Sequence, residues 1–534
     1  MANWFRNRAT ARLSLTSAAT LLIASSFLGQ ILGFFRTKLV NANFSALGPH
    51  STDTYFAAFN IPDFFFYTLA AGALGVAFMP VLAERLQKGD RKGMWEISSS
   101  LLNFLAIIMA AVAVIIFVFA DPLIKHIVAP DLTPEQLHTA ATIMRFLALN
   151  PLLFTISGIL TASQQSMGRF FFYAVAPLFY NLSIIASIFV FRHTSLGIEG
   201  LGLGALVGAI LQLAIVCLGL TGLRFRWHPK INWRNADFRL VLRNLPPRSI
   251  DQGIDQVEAI VETNFARRLG EGNISYYNNA YILQTAPVIL IGTAISTAAF
   301  PRLTNRLAQG RVDLFRRDFL MVLRAMIWIT LPIVVICYFC RGYLARLIFA
   351  QDAPQIALIF GFLCGAIFFR TLYSIISRWF YAQKDTRTPL YVSLFSIALN
   401  IFLAYTLARP AAKGGYDISG LAIAQSVVAA VEVLILLTIM VWRDHRLFNP
   451  EFWSEIMRTL SVTGFTVMTA YIMVHLAPLG LADKGFITLT AKLSFIVIPT
   501  LFVHIAVSTL FGLDEVQPVI RKLRKLVLAP VRIQ

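Results

Sequence analysis

LLNFLAIIMAAVAVIIFVF, Leu101 to Phe119, sets the class of this protein: no side chain in the stretch carries a formal charge, and Asn103 is its one strongly polar residue. A helix rises about 1.5 Å per residue, so a run of about 20 such residues matches a bilayer hydrocarbon core of roughly 30 Å. Blocks like it recur along the whole chain. Candidate helices fall at 15–40, 53–84, 96–119, 136–165, 172–192, 200–224, 237–266, 277–308, 315–340, 354–385, 388–410, 418–443, 455–477 and 487–512. Of the 534 residues 57% are apolar and 14% charged, with no soluble domain between the blocks. A soluble fold could not hide that surface, and only helices with internally satisfied backbones run through lipid in this pattern. The expected fold class is an all-α polytopic membrane protein of about 14 transmembrane helices.

The formal net charge of +19 follows from loops rather than from a nucleic-acid surface. Alternate connections are basic: Arg85, Lys88, Arg91 and Lys92; Arg169; Arg224, Arg226, Lys230 and Arg234; Arg302, Arg306, Arg311, Arg316 and Arg317; Lys384 and Arg387; Arg443 and Arg446. The positive-inside rule places these loops, both termini and the tail with Arg521, Lys522, Arg524 and Lys525 in the cytoplasm. Arg6, Arg8 and Arg12 precede an apolar run from Leu15 that is too long for a signal peptide and lacks a clear cleavage site, so it reads as the first permanent helix. Membrane lipids are expected partners; nucleic acid and nucleotides are not. Cys217, Cys337, Cys340 and Cys364 lie in apolar segments, so even the CxxC spacing of Cys337 and Cys340 reads as packing.

A repeat of roughly 220 residues organises the chain. Phe78-Met79-Pro80-Val81-Leu82-Ala83-Glu84-Arg85-Leu86-Gln87-Lys88-Gly89 is echoed by Phe300-Pro301-Arg302-Leu303-Thr304-Asn305-Arg306-Leu307-Ala308-Gln309-Gly310, and Asn181 by Asn400. An even number of helices per copy predicts two parallel six-helix lobes, 1–224 and 225–446, with a C-terminal helix pair and basic tail at 447–534. Such lobes are a common transporter plan, with alternating access to a site between them. The extra pair is open to a hydrophobic tail, an oligomeric partner or lipid.

Ionisable residues inside the membrane need a reason, because each costs about 2.5–3.5 kcal/mol on insertion scales. Asp251, Asp255, Glu258 and Glu262 are spaced 4, 3 and 4 apart in the seventh candidate helix, which puts them on one face. Three readings stand open: a Na⁺ or H⁺ coupling site, pairing with arginines such as Arg145, Arg370 or Arg378, and, for Asp251, a place near the cytoplasmic surface beside Arg243 and Arg248. The first helix carries Gln30, Arg36 and Lys38, with Gly29 and Gly33 at a spacing that permits close helix approach. Arg36 and Lys38 also suit interfacial snorkelling. The second carries Asp53, Asn60 and Asp63, a bend at Pro62, and the aromatic run Phe64-Phe65-Phe66-Tyr67, read as packing or lipid contact rather than a substrate stack. No nucleophile, metalloenzyme or nucleotide motif is present; His475 and His504 stand alone in apolar helices. A transporter is expected rather than an enzyme, with no cofactor beyond a coupling Na⁺ or H⁺.

Two stretches carry a resemblance. Phe380-Tyr381-Ala382-Gln383-Lys384-Asp385-Thr386-Arg387-Thr388-Pro389 is similar to FYA-x-x-DT-[RK]-TP, and Thr52-Asp53-Thr54-Tyr55-Phe56-Ala57-Ala58-Phe59-Asn60-Ile61-Pro62 to TDAF-x-x-AF-x-x-P, both of the MurJ (MviN) lipid II flippase family. Leu32-Gly33-Phe34-Phe35-Arg36 and Ala77-Phe78-Met79-Pro80 agree as well. The resemblance covers essentially the whole chain. It implies the multidrug/oligosaccharidyl-lipid/polysaccharide exporter superfamily and a bacterial inner membrane. It further implies a lipid-linked cell-wall precursor as partner, namely undecaprenyl-pyrophosphate-linked lipid II moved from inner to outer leaflet for peptidoglycan biosynthesis. In the family, arginines of a central cavity are thought to engage the pyrophosphate, which suits a bidentate guanidinium. Arg36 and Asp53 fall on motif positions; Asn60, Asp63, Arg145 and Arg370 complete the substrate-binding candidates.

The chain departs from the family elsewhere. SR-x-LG-x-x-RD reads Gly29-Gln30-Ile31-Leu32-Gly33-Phe34-Phe35-Arg36-Thr37, PN-x-x-RR reads Pro62-Asp63-Phe64-Phe65-Phe66-Tyr67, and DRL-x-x-x-P reads Tyr281-Ile282-Leu283-Gln284-Thr285-Ala286-Pro287. Four expected arginines are replaced, by Gln30, Phe66, Tyr67 and Ile282, while the seventh helix has gained acids. The alternative function is therefore a cation-coupled exporter of another lipid-linked glycan or a small cationic compound, with a non-transporting scaffold as a third reading. Of the seventh-helix acids, Asp255 is the candidate counterpart of the family's sodium site.

Overall fold

The computed structural model describes residues 15–71, 78–349, 352–480, 483 and 485–521. The basic tail beyond Arg521 lies outside them. Among the described residues every regular element is helical: α1 Leu15–Asn43, α2 Thr52–Phe66, α3 Met79–Gln87, α4 Arg91–Val118, α5 Pro134–Leu147, α6 Asn150–Ser166, α7 Phe171–Phe191, α8 Glu199–Leu218, α9 Ala236–Arg268, α10 Asn273–Pro287, α11 Ala294–Ala308, α12 Val312–Phe339, α13 Arg341–Ile348, α14 Ala353–Ala382, α15 Arg387–Leu407, α16 Ser419–Arg443, α17 Pro450–Leu476 and α18 Phe486–Leu510. Eleven helical spans are long and apolar enough to cross a membrane, with α5–α6 and α10–α11 each counting as one. The other three segments of the sequence reading are also helical where described. Of these, α9 falls short on polarity, because ten Asp, Glu and Arg side chains punctuate it, and α2 is short and runs into a π-helical turn, Tyr67–Ala71.

The repeat is visible in local geometry. After α3, the Lys88, Gly89 and Asp90 amides donate to the Glu84, Leu86 and Arg85 carbonyls; after α11, those of Gln309, Gly310 and Arg311 donate to Asn305, Leu307 and Arg306. Gly89 and Gly310 take φ of 74° and 69°, the left-handed close that glycine permits without penalty. A second pair of turns matches in the same way. Met167, Gly168 and Arg169 close α6 with the hydrogen-bond pattern that Gln383, Lys384 and Asp385 use to close α14. There Lys384 holds φ 62° where the first copy has Gly168. The π-helical turn after α2 likewise has a counterpart, Val288–Thr293, between α10 and α11.

By packing, the chain divides into two compact units, Met1–Ser275 and Tyr276–Gln534. The repeat assigns α9 to the second lobe of 225–446, whereas packing places it with the N-terminal unit. Thr263 donates to Asn60 Oδ1 at 3.4 Å, Asn264 to the Ile127 carbonyl at 2.8 Å, and Arg267 to the Asp131 carbonyl. The core of this unit joins Phe78, Leu82, Met94, Trp95, Leu101, Ile159 and Phe238. Within it α7 and α8 approach closely. A Cβ on Gly200 or Gly204 would sit 2.3 Å from Phe191 or 2.2 Å from the Ser187 hydroxyl, so backbone meets side chain with no room for a methyl group. At Gly29 and Gly33, where close approach was expected, a Cβ would meet Leu178 at an ordinary 3.8 Å, or nothing within 4 Å among the described residues.

In the C-terminal unit the core runs through Phe319, Met326, Ile375, Ile376, Trp379, Phe380, Leu436 and Met440. The extra pair, α17 and α18, is fastened to α12 by a polar seam. Arg324 pairs with Glu455 and, at 3.1 Å, with Glu515. Trp328 donates to Ser508 Oγ at 2.8 Å, and Thr466 bonds His504 Nδ1 at 2.9 Å. Cys340 packs with Tyr343, Leu493 and Ile496, and all four thiols are free.

Candidate functional site

In the N-terminal unit, the acid that the family motif places at position 53 closes a buried polar knot. Asp53 is fully buried. Its carboxylate accepts the backbone amides of Gly272 and Ser275, each at 2.8 Å. These amides open α10, whose first-turn N–H groups have no partner within the helix, so a carboxylate from α2 caps it from outside. Arg267 stands 3.8 Å away and donates to the Asp131 carbonyl and to Gln136 Oε1. Gln136 in turn donates to Glu271 and Gly48, and Thr52 shares a 2.6 Å hydrogen bond with Ser275. Asp53, expected as a substrate contact, is thus engaged in holding α2, α5, α9 and the Gly272–Ser275 segment that opens α10. Gln136 and Arg267 had no motif to announce them.

Arg36 has a different setting. It is half-buried on α1 and, among the described residues, makes no hydrogen bond or ion pair. Its charge acts on Asp63 and Tyr55 of α2 and on Tyr180 of α7. Tyr55 keeps 3% exposure with its hydroxyl unpartnered. The neighbouring run packs as expected: Phe66 meets Phe154, and Phe154 meets Tyr180, edge to face. Asn60 bonds its own helix at the Phe56 carbonyl and accepts from Thr263. Arg145 pairs instead with Asp121, and both side chains are substantially exposed. Its part in answering the α9 acids is therefore replaced by a peripheral ion pair.

The α9 acids share a stripe but not an environment. Glu258 and Glu262 are buried, at 9% and 8% exposure, while Asp255 is exposed. The side chain of Asp251 lies outside the described residues.

In the C-terminal unit, Arg370 of α14 donates to Gln425 Oε1 of α16 at 3.0 Å. Its Nη1 stands 4.0 Å from Glu432 Oε2, also on α16. Glu432 accepts from Ser393 of α15 at 2.8 Å, and Ser393 bonds the Tyr373 hydroxyl at 3.0 Å. The cost of a lone acid in the apolar run 418–443 was the signal for Glu432, which the more conspicuous α9 stripe overshadowed. Arg378 lies over the Phe300 ring at 5.2 Å.

The motif Phe380–Pro389 resolves into a latch. Asp385 accepts the Arg387 and Thr388 amides at the start of α15, the Thr388 hydroxyl at 2.6 Å and Arg443 Nη1 at 2.6 Å. Burial pushes its carboxyl up, but the Thr388 hydroxyl and amide and Arg443 outweigh that and hold it at about 2. The N-terminal unit joins the matching elements with Arg169, which donates to the Thr221 carbonyl at 2.6 Å.

The sequence profile described as lipid II flippase MurJ matches residues 45–512, nearly the whole described chain. The protein belongs to the MurJ family. A probable lipid II flippase MurJ of Rhizobium tropici is 24% identical over 524 residues, covering 93% of this chain and 94% of the relative. A lipid II flippase MurJ structure in an inward closed conformation superposes with a TM-score of 0.76 at 21% identity, covering 94% of this chain and all of that one. An inward-facing multidrug resistance MATE family transporter of the MOP superfamily superposes with a TM-score of 0.66 at 15% identity, over 80% of this chain and 98% of its own. The structural likenesses establish the fold, and the profile match establishes the MurJ family.

Proposed function

We propose that this protein moves lipid II, the undecaprenyl-pyrophosphate-linked peptidoglycan precursor, from the inner to the outer leaflet of a bacterial inner membrane by alternating access. The observation that carries the reading is the MurJ profile match across residues 45–512. Arg36 is the residue of the N-terminal unit proposed to meet the pyrophosphate: no carboxylate closes on it within ion-pair distance among the described residues. A guanidinium suits phosphate oxygens bidentately. Asp53 serves the reaction only by fixing the frame.

Transport needs no nucleotide in principle. An inside-negative potential favours outward movement of an anionic headgroup by about 2.3 kcal/mol per charge per 100 mV. A coupling Na⁺ or H⁺ would be taken by Glu258 and Glu262, the buried acids of α9. Basic connections on alternate loops support cytoplasmic termini.

Complementation of a conditional peptidoglycan-flippase depletion tests the reading. Wild-type protein is expected to restore growth and Arg36→Ala to fail at equal membrane abundance. A well-inserted wild-type chain that does not restore growth would remove lipid II as the substrate.

A further inference from the structure

The two acids of α2 have opposite settings. Asp53 accepts two backbone amides at 2.8 Å, whereas Asp63, among the described residues, makes neither a hydrogen bond nor an ion pair. Asp63 follows Thr52, the first residue of α2, by eleven positions. That is about 16 Å along a helix, about half of a bilayer core. The charged side chain that acts on it is Arg36 of α1, which does not close to ion-pair distance. Both side chains are half-buried. An open charge facing hydrocarbon is costly, so half-exposed charges at this depth line water and persist only with a task.

What surrounds Asp63 is aromatic. Phe59, Phe66 and Tyr67 stand four before, three after and four after it, the spacings that share a helix face. Tyr67 is 39% exposed, and Tyr180 of α7 lies within electrostatic reach. The family pattern PN-x-x-RR places Asn, Arg and Arg where this chain has Asp63, Phe66 and Tyr67, so two positive charges are gone and one negative charge is gained. That exchange turns a face suited to anions into one suited to a cation. A carboxylate among ring faces fits an organic cation, which takes a charge-assisted hydrogen bond from the acid and cation–π attraction from the rings. A hard metal ion asks for several oxygen ligands, and among the described residues no group of three acids, histidines or cysteines gathers here. We propose that Asp63 binds an ammonium group carried by the substrate headgroup. The proposal rests on the peptidoglycan-precursor reading above and deepens it, since the peptide of such a headgroup offers amines. Arg36 and Asp63 then hold two different parts of one headgroup, and Asp63 sets which headgroups are preferred.

The test uses the purified full chain in nanodiscs, with lysine-form lipid II as probe, its lysine amine either free or acetylated. Wild-type protein is expected to hold the free-amine form about tenfold more tightly, the scale of one charge-assisted hydrogen bond. Asp63→Asn installs the residue of the family pattern and keeps the shape of the side chain. It should abolish the preference by weakening the free-amine form while the acetylated form binds as before. Asp63→Glu, which keeps the charge, should retain a preference. Arg36→Ala should weaken both forms alike and preserve their ratio.

A merely structural acid would not distinguish the two forms. Equal affinities in the wild-type chain, or a preference that survives in folded Asp63→Asn protein, overturns the proposal. So does an Asp63→Asn effect seen only as a changed dependence on Na⁺ or pH, because the occupant is then an inorganic cation or a proton. Should the wild-type chain complement growth under those results, only this inference falls. A wild-type chain that neither complements nor binds either form overturns both.

Discussion

Replacing Asp53 by Asn separates a frame residue from a substrate contact. The change conserves shape, but one carboxylate oxygen becomes an amide NH₂ that must face the amide of Gly272 or of Ser275, donor against donor. One charge-assisted hydrogen bond is lost, worth about 1.5–3 kcal/mol. The negative charge at the start of α10 goes as well, for about 0.3–1 kcal/mol. Arg267, at 6% exposure, loses the carboxylate 3.8 Å away, and removing one partner of a buried pair costs about 3–5 kcal/mol in all. These losses overlap, so about 3–5 kcal/mol is the expected total, and the melting temperature in detergent should fall by about 3–5 °C for a chain of this length. Hydrogen exchange should accelerate at Gly272–Ser275, while the folded fraction still binds farnesyl pyrophosphate, a soluble pyrophosphate probe, with wild-type affinity. An unchanged melting temperature together with a specific loss of probe binding would refute the cap and return Asp53 to the substrate.

Two further outcomes follow from the same geometry. Asp385, held at about 2, contributes stability that is complete above the ordinary carboxylate range near 4 and disappears as pH falls through 2. Asp385→Asn should therefore cost about 2 kcal/mol at pH 7 and little at pH 2, read by thermal unfolding at both values. Arg324→Ala leaves Glu455 and Glu515 facing each other without their shared cation, so α17 and α18 should loosen from α12 with a loss of about 3–5 kcal/mol. Protease susceptibility at the connections flanking α17 and α18 measures it, and an unchanged digestion pattern would remove the seam as the fastening.

How far the sequence reached varies by residue. The turns at Gly89 and Gly310 were legible as a repeat because a helix close depends on a few adjacent residues. The Phe380–Pro389 motif was legible as a family mark, but its work was not. Asp385 binds its near neighbours Arg387 and Thr388, while Arg443 arrives from 58 positions away. Asp53 was assigned to the substrate because its partners, 219 and 222 residues distant, leave no trace in local pattern. Arg145 could be matched to several acids by charge alone, and only packing selects Asp121. Glycine spacing proposed Gly29 and Gly33 for close approach, yet the neighbour that makes spacing matter stands at Gly200 and Gly204.

By itself the amino-acid sequence determined the membrane class, the helical spans, the two-fold repeat and the MurJ resemblance, because hydrophobic length, turn chemistry and short motifs are properties of adjacent residues. Only the tertiary structure decided that α9 packs with the N-terminal unit, that Asp53 caps α10, and that Arg370 faces Glu432 across 4.0 Å. The physical reason is shared. A buried charge is defined by the partner that compensates it, and that partner is chosen by packing rather than by distance along the chain.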